Sequence, residues 1–308
     1  MNLMLNRLTF LLFLICEVIS AQSDFKSVDS HVFFNEERLI QNIKTLSSDA
    51  FEGRRTGTNG SKKARNYIIN QLTSFDVLAL DASFNQQFTF TFHDKKYEGV
   101  NILGLIKGSE KPESYVVISA HYDHEGIKNG QIYNGADDDA SGISALISFA
   151  EYFKNNPPKH SVIIAAFDAE ELGLEGSKYF VNHSVIPINS IVVNLNMDMI
   201  SRSDTNTLFA VGTRYNDKLK SVVSGFNVIN KVNMVAGHDG NDNLENWTYS
   251  SDHASFHQKD IPFIYFGVDD HKDYHQPTDD FENIHPEFYK ESVKVIISTF
   301  NKIDALNF

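Results

Sequence analysis

Three stretches of the chain are almost wholly apolar: Val162 to Phe167, Ile191 to Leu195 and Ile261 to Phe266. Such runs suit strands covered on both faces, as in a mostly parallel sheet. Shorter strand-like runs precede them at Gln87 to Phe92, Val100 to Ile106 and Tyr115 to Ala120. Between and around these runs the period changes. Ile143, Leu146, Ile147, Ala150 and Phe153 recur at helical spacing, and Pro157-Pro158 stops the helix that begins near Ser141. Glu36 to Leu46 and Ser61 to Leu72 also read as amphipathic helices, joined by the turn-rich stretch Ser47 to Gly60. Tyr289, Val293, Ile296, Ile297, Phe300 and Ile303 form one stripe along a closing helix, Pro286 to Leu306. Ser201 to Ser250 reads as a strand (Thr207 to Val211), a helix (Asn216 to Phe226) and a polar loop, Gly237 to Asn246. Strands alternating with helices predict an α/β fold of three layers, α/β/α, around a mostly parallel central sheet. No repeat or linker interrupts the pattern, so residues 22–308 are expected to form a single domain.

The first residues differ from the rest. A short basic segment is followed by the apolar run Leu8 to Ile15 and the small residues Ser20 and Ala21. This is the layout of a secretory signal peptide spanning residues 1–21, and it predicts a secreted or periplasmic protein. The run is too short for comfortable membrane insertion. Cys16 is the only cysteine and would leave with the signal, so the mature chain has no disulfide and no thiol nucleophile. Any metal must then be held by nitrogen and oxygen. The formal net charge of -13 disfavours nucleic acid or an anionic membrane as partner.

Candidate chemistry gathers just after the apolar runs, where open α/β sheets bind their ligands. Tyr115 to Ala120 leads into His121-Tyr122-Asp123-His124, and Val162 to Phe167 leads into Asp168-Ala169-Glu170-Glu171. Ile191 to Leu195 leads into Asn196-Met197-Asp198, and the loop after Ile261 to Phe266 holds Tyr274-His275. His121 and Asp123 share a face of an extended strand. They are either a surface pair or a metal ligand and the carboxylate that orients it. Asp137, Asp138 and Asp139 precede a helix. One helix cap needs one carboxylate, and three in a row repel unless a cation compensates. The stretch lacks the alternating spacing and closing Glu of a calcium loop. Glu170 and Glu171 are either a solvated loop or a pair in which one binds metal and the other serves as general base. Asp198 follows a buried run and needs a partner or a metal.

In order, these segments resemble metallopeptidase family twenty-eight, the bacterial double-zinc aminopeptidases. The matching stretches are LSSDAFEGRRTGTNG at Leu46 to Gly60, HYDH at His121 to His124, GADDDASG at Gly135 to Gly142 and FDAEELGLEGS at Phe167 to Ser177. NMDM at Asn196 to Met199, SDHASF at Ser251 to Phe256 and YHQPTDD at Tyr274 to Asp280 complete the set. The resemblance implies two Zn²⁺ per chain, one held by His121 and Asp198, the other by Glu171 and His275, with Asp138 bridging both. It implies Glu170 as general base, Asp123 as partner of a ligand, and a cis peptide bond between Asp138 and Asp139. Asp139, Asp252, His253 and Tyr274 are weaker candidates for supporting the site or touching substrate. Arg54 and Arg55 match the family but carry no evident role, and His124, His160 and His183 read as ordinary histidines. The implied activity is removal of the N-terminal residue from peptide substrates. A carboxypeptidase or dipeptidase, a single-zinc glutaminyl-cyclase-like enzyme and a non-catalytic binding relative remain alternatives on the same scaffold.

Overall fold

The computed structural model of the protein describes residues 33–226 and 231–308. The expected signal segment, residues 1–21, lies outside the described residues. In chain order the strands are β1 (Leu78–Ala79), β2 (Asn85–Phe92), β3 (Lys95–Ile106), β4 (Lys111–His121), β5 (Gly126–Lys128) and β6 (Gln131–Tyr133), then β7 (His160–Phe167), β8 (Ile191–Met197), β9 (Thr207–Val211), β10 (Asn233–Ala236) and β11 (Phe263–Gly267). The helices are α1 (Glu36–Leu46), α2 (Asn59–Ser74), α3 (Ser141–Asn155), α4 (Glu175–Asn182), α5 (Asp217–Ser224), α6 (His253–His257) and α7 (Pro286–Asp304).

One sheet runs in the order β1-β3-β7-β4-β8-β11-β9-β10, with β2 added against β3, while β5 and β6 form a separate hairpin. Its centre, β7-β4-β8-β11, is parallel throughout. The flanks are not: β3 meets β7, and β9 meets β11, in antiparallel fashion. The sheet is therefore mixed around a parallel core rather than mostly parallel. On one flank the reason is local. His93 and Asp94, both at positive φ, turn β2 directly into β3, and so tight a turn can only return the chain antiparallel.

Period-two alternation divides the buried strands between two cores. Val162, Ile164 and Ala166 of β7 face a large core shared with α1, α2, α3 and α7, whereas Ile163, Ala165 and Phe167 face a smaller one that includes Phe180 of α4 and Phe256 of α6. This is the three-layer arrangement, and it explains why β7 is apolar at almost every position. Helix ends follow side-chain capping. Asn216 accepts from the backbone N–H groups of Lys218 and Leu219, so α5 starts one residue later than its apolar pattern predicts. Because β4, β7, β8 and β11 run the same way, their carboxyl ends fall along one edge, with His121 level with Phe167 and Met197 level with Phe266.

Candidate metal centre

Asp137, Asp138 and Asp139 are all buried at that edge, and they do three different things. Asp137 Oδ1 accepts from the backbone N–H and the hydroxyl of Ser201, at 2.7 and 2.8 Å. Asp139 Oδ1 accepts from the N–H of Gly142 at 2.8 Å, and its Oδ2 from the N–H of His121 at 3.2 Å. The outer acids thus tie the start of α3 to the neighbouring strand ends. Asp138 alone turns inward, while Asp279 holds its backbone by accepting from the N–H groups of Asp137 and Asp138. The Asp138–Asp139 peptide bond is cis.

Each oxygen of Asp138 meets a different set of donors. His121 Nε2 lies 3.2 Å from Asp138 Oδ1 and 3.4 Å from Asp198 Oδ1, and these three residues form one potential metal-holding group. His121 Nδ1 sits 3.1 Å from the backbone carbonyl of Asp123, which can only accept, so the proton belongs on Nδ1 and the Nε2 lone pair is free. The Asp123 carboxylate is farther from that nitrogen, at 3.7 Å. It accepts instead from the N–H groups of Glu170, at 3.0 Å, and Glu171, at 3.3 Å. Its contribution is to fix the two glutamates; orientation of the imidazole falls to its carbonyl.

On the other side, His275 Nε2 lies 3.1 Å from Asp138 Oδ2 and 3.2 Å from Glu171 Oε2. A further histidine joins them. His124 is fully buried, with Nδ1 2.8 Å from Glu171 Oε1 and 3.6 Å from Asp138 Oδ2, and it forms a second potential metal-holding group with those two acids. The expectation that His124 is an ordinary histidine is therefore corrected. Irregular chain after β4 has no periodicity to show where a ring three residues beyond His121 will point. Burial and the charge of Asp138 raise the Glu171 pKa, but the adjacent imidazoles of His124 and His275 outweigh them and hold Glu171 at about 2. Glu170 behaves oppositely. Burial, then the charges of Asp198 and Glu171, push it well above the usual carboxylate range despite the opposing pull of His121.

The weaker candidates separate. Tyr274 stacks on His275 with ring centroids 4.0 Å apart and lines the cavity at the centre. His253 is fully buried between Phe263 and Tyr265, with Nε2 2.9 Å from the Trp247 carbonyl, and is not among the cavity-lining residues. Asp252 is buried with both oxygens lacking hydrogen-bond partners among the described residues, and burial raises it to about 7. Arg54, which the sequence left without a role, is a fully buried clamp. Its guanidinium donates to the carbonyls of Leu46, Tyr122, Asn134 and Gly135 at 2.6 to 2.9 Å, tying together the segments that bear the ligands. Glu125, in the irregular chain after β4, completes a third potential metal-holding group with Glu171 and His275.

The donor set suits a borderline divalent cation. It contains imidazole nitrogens and carboxylate oxygens only, the pattern accepted by zinc, manganese or cobalt. His121 Nε2, both His124 nitrogens and Glu171 Oε1 are buried without hydrogen bonds, although acceptors or donors stand close by. Polar atoms that converge without bonding one another fit a shared ion.

A cavity of about 140 Å³ opens onto His121, Asp138, Glu170, Asp198 and His275. The family model described as Peptidase family M28 matches residues 101–300, which includes all of these groups. The chain belongs to peptidase family M28. Among M28 relatives, aminopeptidase YwaD of Bacillus subtilis is 31% identical over 197 residues, covering 61% of this chain and 41% of YwaD. The chain thus spans less than half the length of the curated relatives it matches. The crystal structure of BSAP, a zinc aminopeptidase from B. subtilis, aligns with a TM-score of 0.69 at 17% identity, over 87% of this chain and 95% of that one. Glutaminyl cyclase of Porphyromonas gingivalis aligns with a TM-score of 0.71 at 16% identity, over 88% and 99%. These structures establish that the zinc-exopeptidase fold is shared.

Proposed function

We propose that this M28 protein is an exported zinc-dependent aminopeptidase with two metal ions per chain. The carrying observation is that Asp138 offers one oxygen to His121 and Asp198 and the other to Glu171, His124 and His275. On this reading His121 and Asp198 would hold one ion, Glu171 with His275 and His124 would hold the other, and Asp138 would serve both. Bound there, zinc would polarise the scissile carbonyl and acidify a water at the centre. Glu170 lines the same cavity, with its backbone N–H pinned by Asp123. Its carboxylate takes the proton of the attacking water and passes it to the departing amine. Export rests on the pattern of residues 1–21 and is checked by the N-terminus of protein recovered from the medium.

The reading is tested with one peptide in free and N-acetylated forms, followed by mass spectrometry before chelation, after it, and after zinc is restored. Stepwise loss from the free end only, abolished by chelator and rescued by zinc, is expected. Trimming of both forms from the carboxyl end would point to a carboxypeptidase. No cleavage with zinc bound would favour cyclase chemistry or a binding role.

A further inference from the structure

The cavity at the metal centre is well below the roughly 300–1,000 Å³ of pockets that enclose whole ligands, so it suits a single residue. Its floor is buried: His121, 1% exposed, lines it with an Nε2 that has no hydrogen-bond partner. Its lining also includes Glu245 and Asp270, both exposed and therefore at the mouth. Among the described residues neither acid makes an ion pair, whereas the adjacent Asp269 stands 3.6 Å from His238. The two acids line the same cavity, and burial and the charge of Glu245 raise the pKa of Asp270 against the opposing pull of His271 and His275. Between floor and mouth run aromatic walls, Trp247, Tyr265 and Tyr274. Trp247 is held rigid by stacking on His238, with ring centroids 3.5 Å apart and planes 11° from parallel.

Charge makes the mouth unusual. Asp138, Asp198, Glu170 and Glu171 would together balance two divalent ions, and Glu245 and Asp270 add negative charge at the entrance with no ion pair of their own among the described residues. Aromatic faces beside a carboxylate pair suit an alkyl stem ending in a cation. Resting on the aminopeptidase reading above, we infer that this cavity selects peptides whose first side chain is cationic, lysine or arginine, with Glu245 and Asp270 as the specificity-determining residues.

The test compares lysyl, arginyl and norleucyl p-nitroanilides on the zinc-loaded protein, norleucine being an uncharged analogue of lysine. The kcat/KM for lysine and arginine should exceed that for norleucine by on the order of tenfold, the size expected for charges interacting near a solvated surface. That ratio should shrink with added salt. It should fall severalfold in E245Q and in D270N, and approach one in the double variant. A wild-type ratio of one or less, or a ratio unchanged in the double variant, overturns the inference. Calorimetric binding of lysinamide and norleucinamide to the same zinc-loaded protein reads the pocket without turnover. If no substrate is cleaved, the aminopeptidase reading fails, but preferential binding of lysinamide that is lost in the double variant still supports a cation-selective mouth. Equal binding of the two amides overturns it.

Discussion

Asp138 shows how little a residue type says until its neighbours are placed. The triplet at 137–139 suggests a cation because three acids should repel. In the fold, two of the three are satisfied elsewhere, Asp137 by Ser201 and His271 and Asp139 by backbone donors, and only Asp138 is left to converge with the imidazoles of both His121 and His275. His121, Asp198, Glu170, Glu171 and His275 were legible because each ends or follows an apolar strand. His124 and Arg54 were not: one depends on where an irregular turn aims a ring, the other on carbonyl partners that no side-chain pattern displays. Replacing Glu170 with Gln should lower kcat by about 10² to 10⁴, the span of general acid–base catalysis, with the zinc content measured by elemental analysis retained. An unchanged kcat would remove Glu170 from the proton path. Replacing Arg54 with Met should destabilise the protein by at least about 3 kcal/mol in denaturant titration, because several buried carbonyls lose charged donors at once.

Among the elements, the parallel quartet β7-β4-β8-β11 creates the site by ending four strands along one edge, and apolar runs alone reveal most of it. The antiparallel flanks were less visible, since strand direction is set by turns such as His93-Asp94 and not by hydrophobicity. Helix α6 was harder still. Its five residues are too few for a period, and they begin with His253, buried between aromatic rings. Burial lowers the His253 pKa from 6.5 to about 3 despite its bond to the Trp247 carbonyl. A depressed histidine pKa means the folded state prefers the neutral ring. Its contribution is therefore fully present above pH 6.5 and lost as pH falls toward 3, with a total on the order of 5 kcal/mol. Denaturant titrations of chelated protein across that window should show stability falling with acid, and falling less steeply in His253→Phe. Parallel slopes in the two proteins would mean His253 titrates normally.

Across the whole molecule, the polar donors of the centre come from segments far apart in sequence, and Arg54, Asp123, Asp137, Asp139 and Asp279 hold those segments in register. Such a centre gathers negative charge, in keeping with the formal net charge of -13, and cations bound to the folded state alone add to its stability. Chelation should lower the melting temperature, and restored zinc should raise it in a concentration-dependent way. If Asp138 joins two ions in one centre, the zinc content per chain reports it. Elemental analysis of the wild-type protein after dialysis against buffered zinc should give two ions per chain. Asp138→Asn, carrying a neutral bridge, should give fewer than one. A single ion per wild-type chain, retained in the variant, would contradict the shared centre and favour the one-zinc alternative on this scaffold.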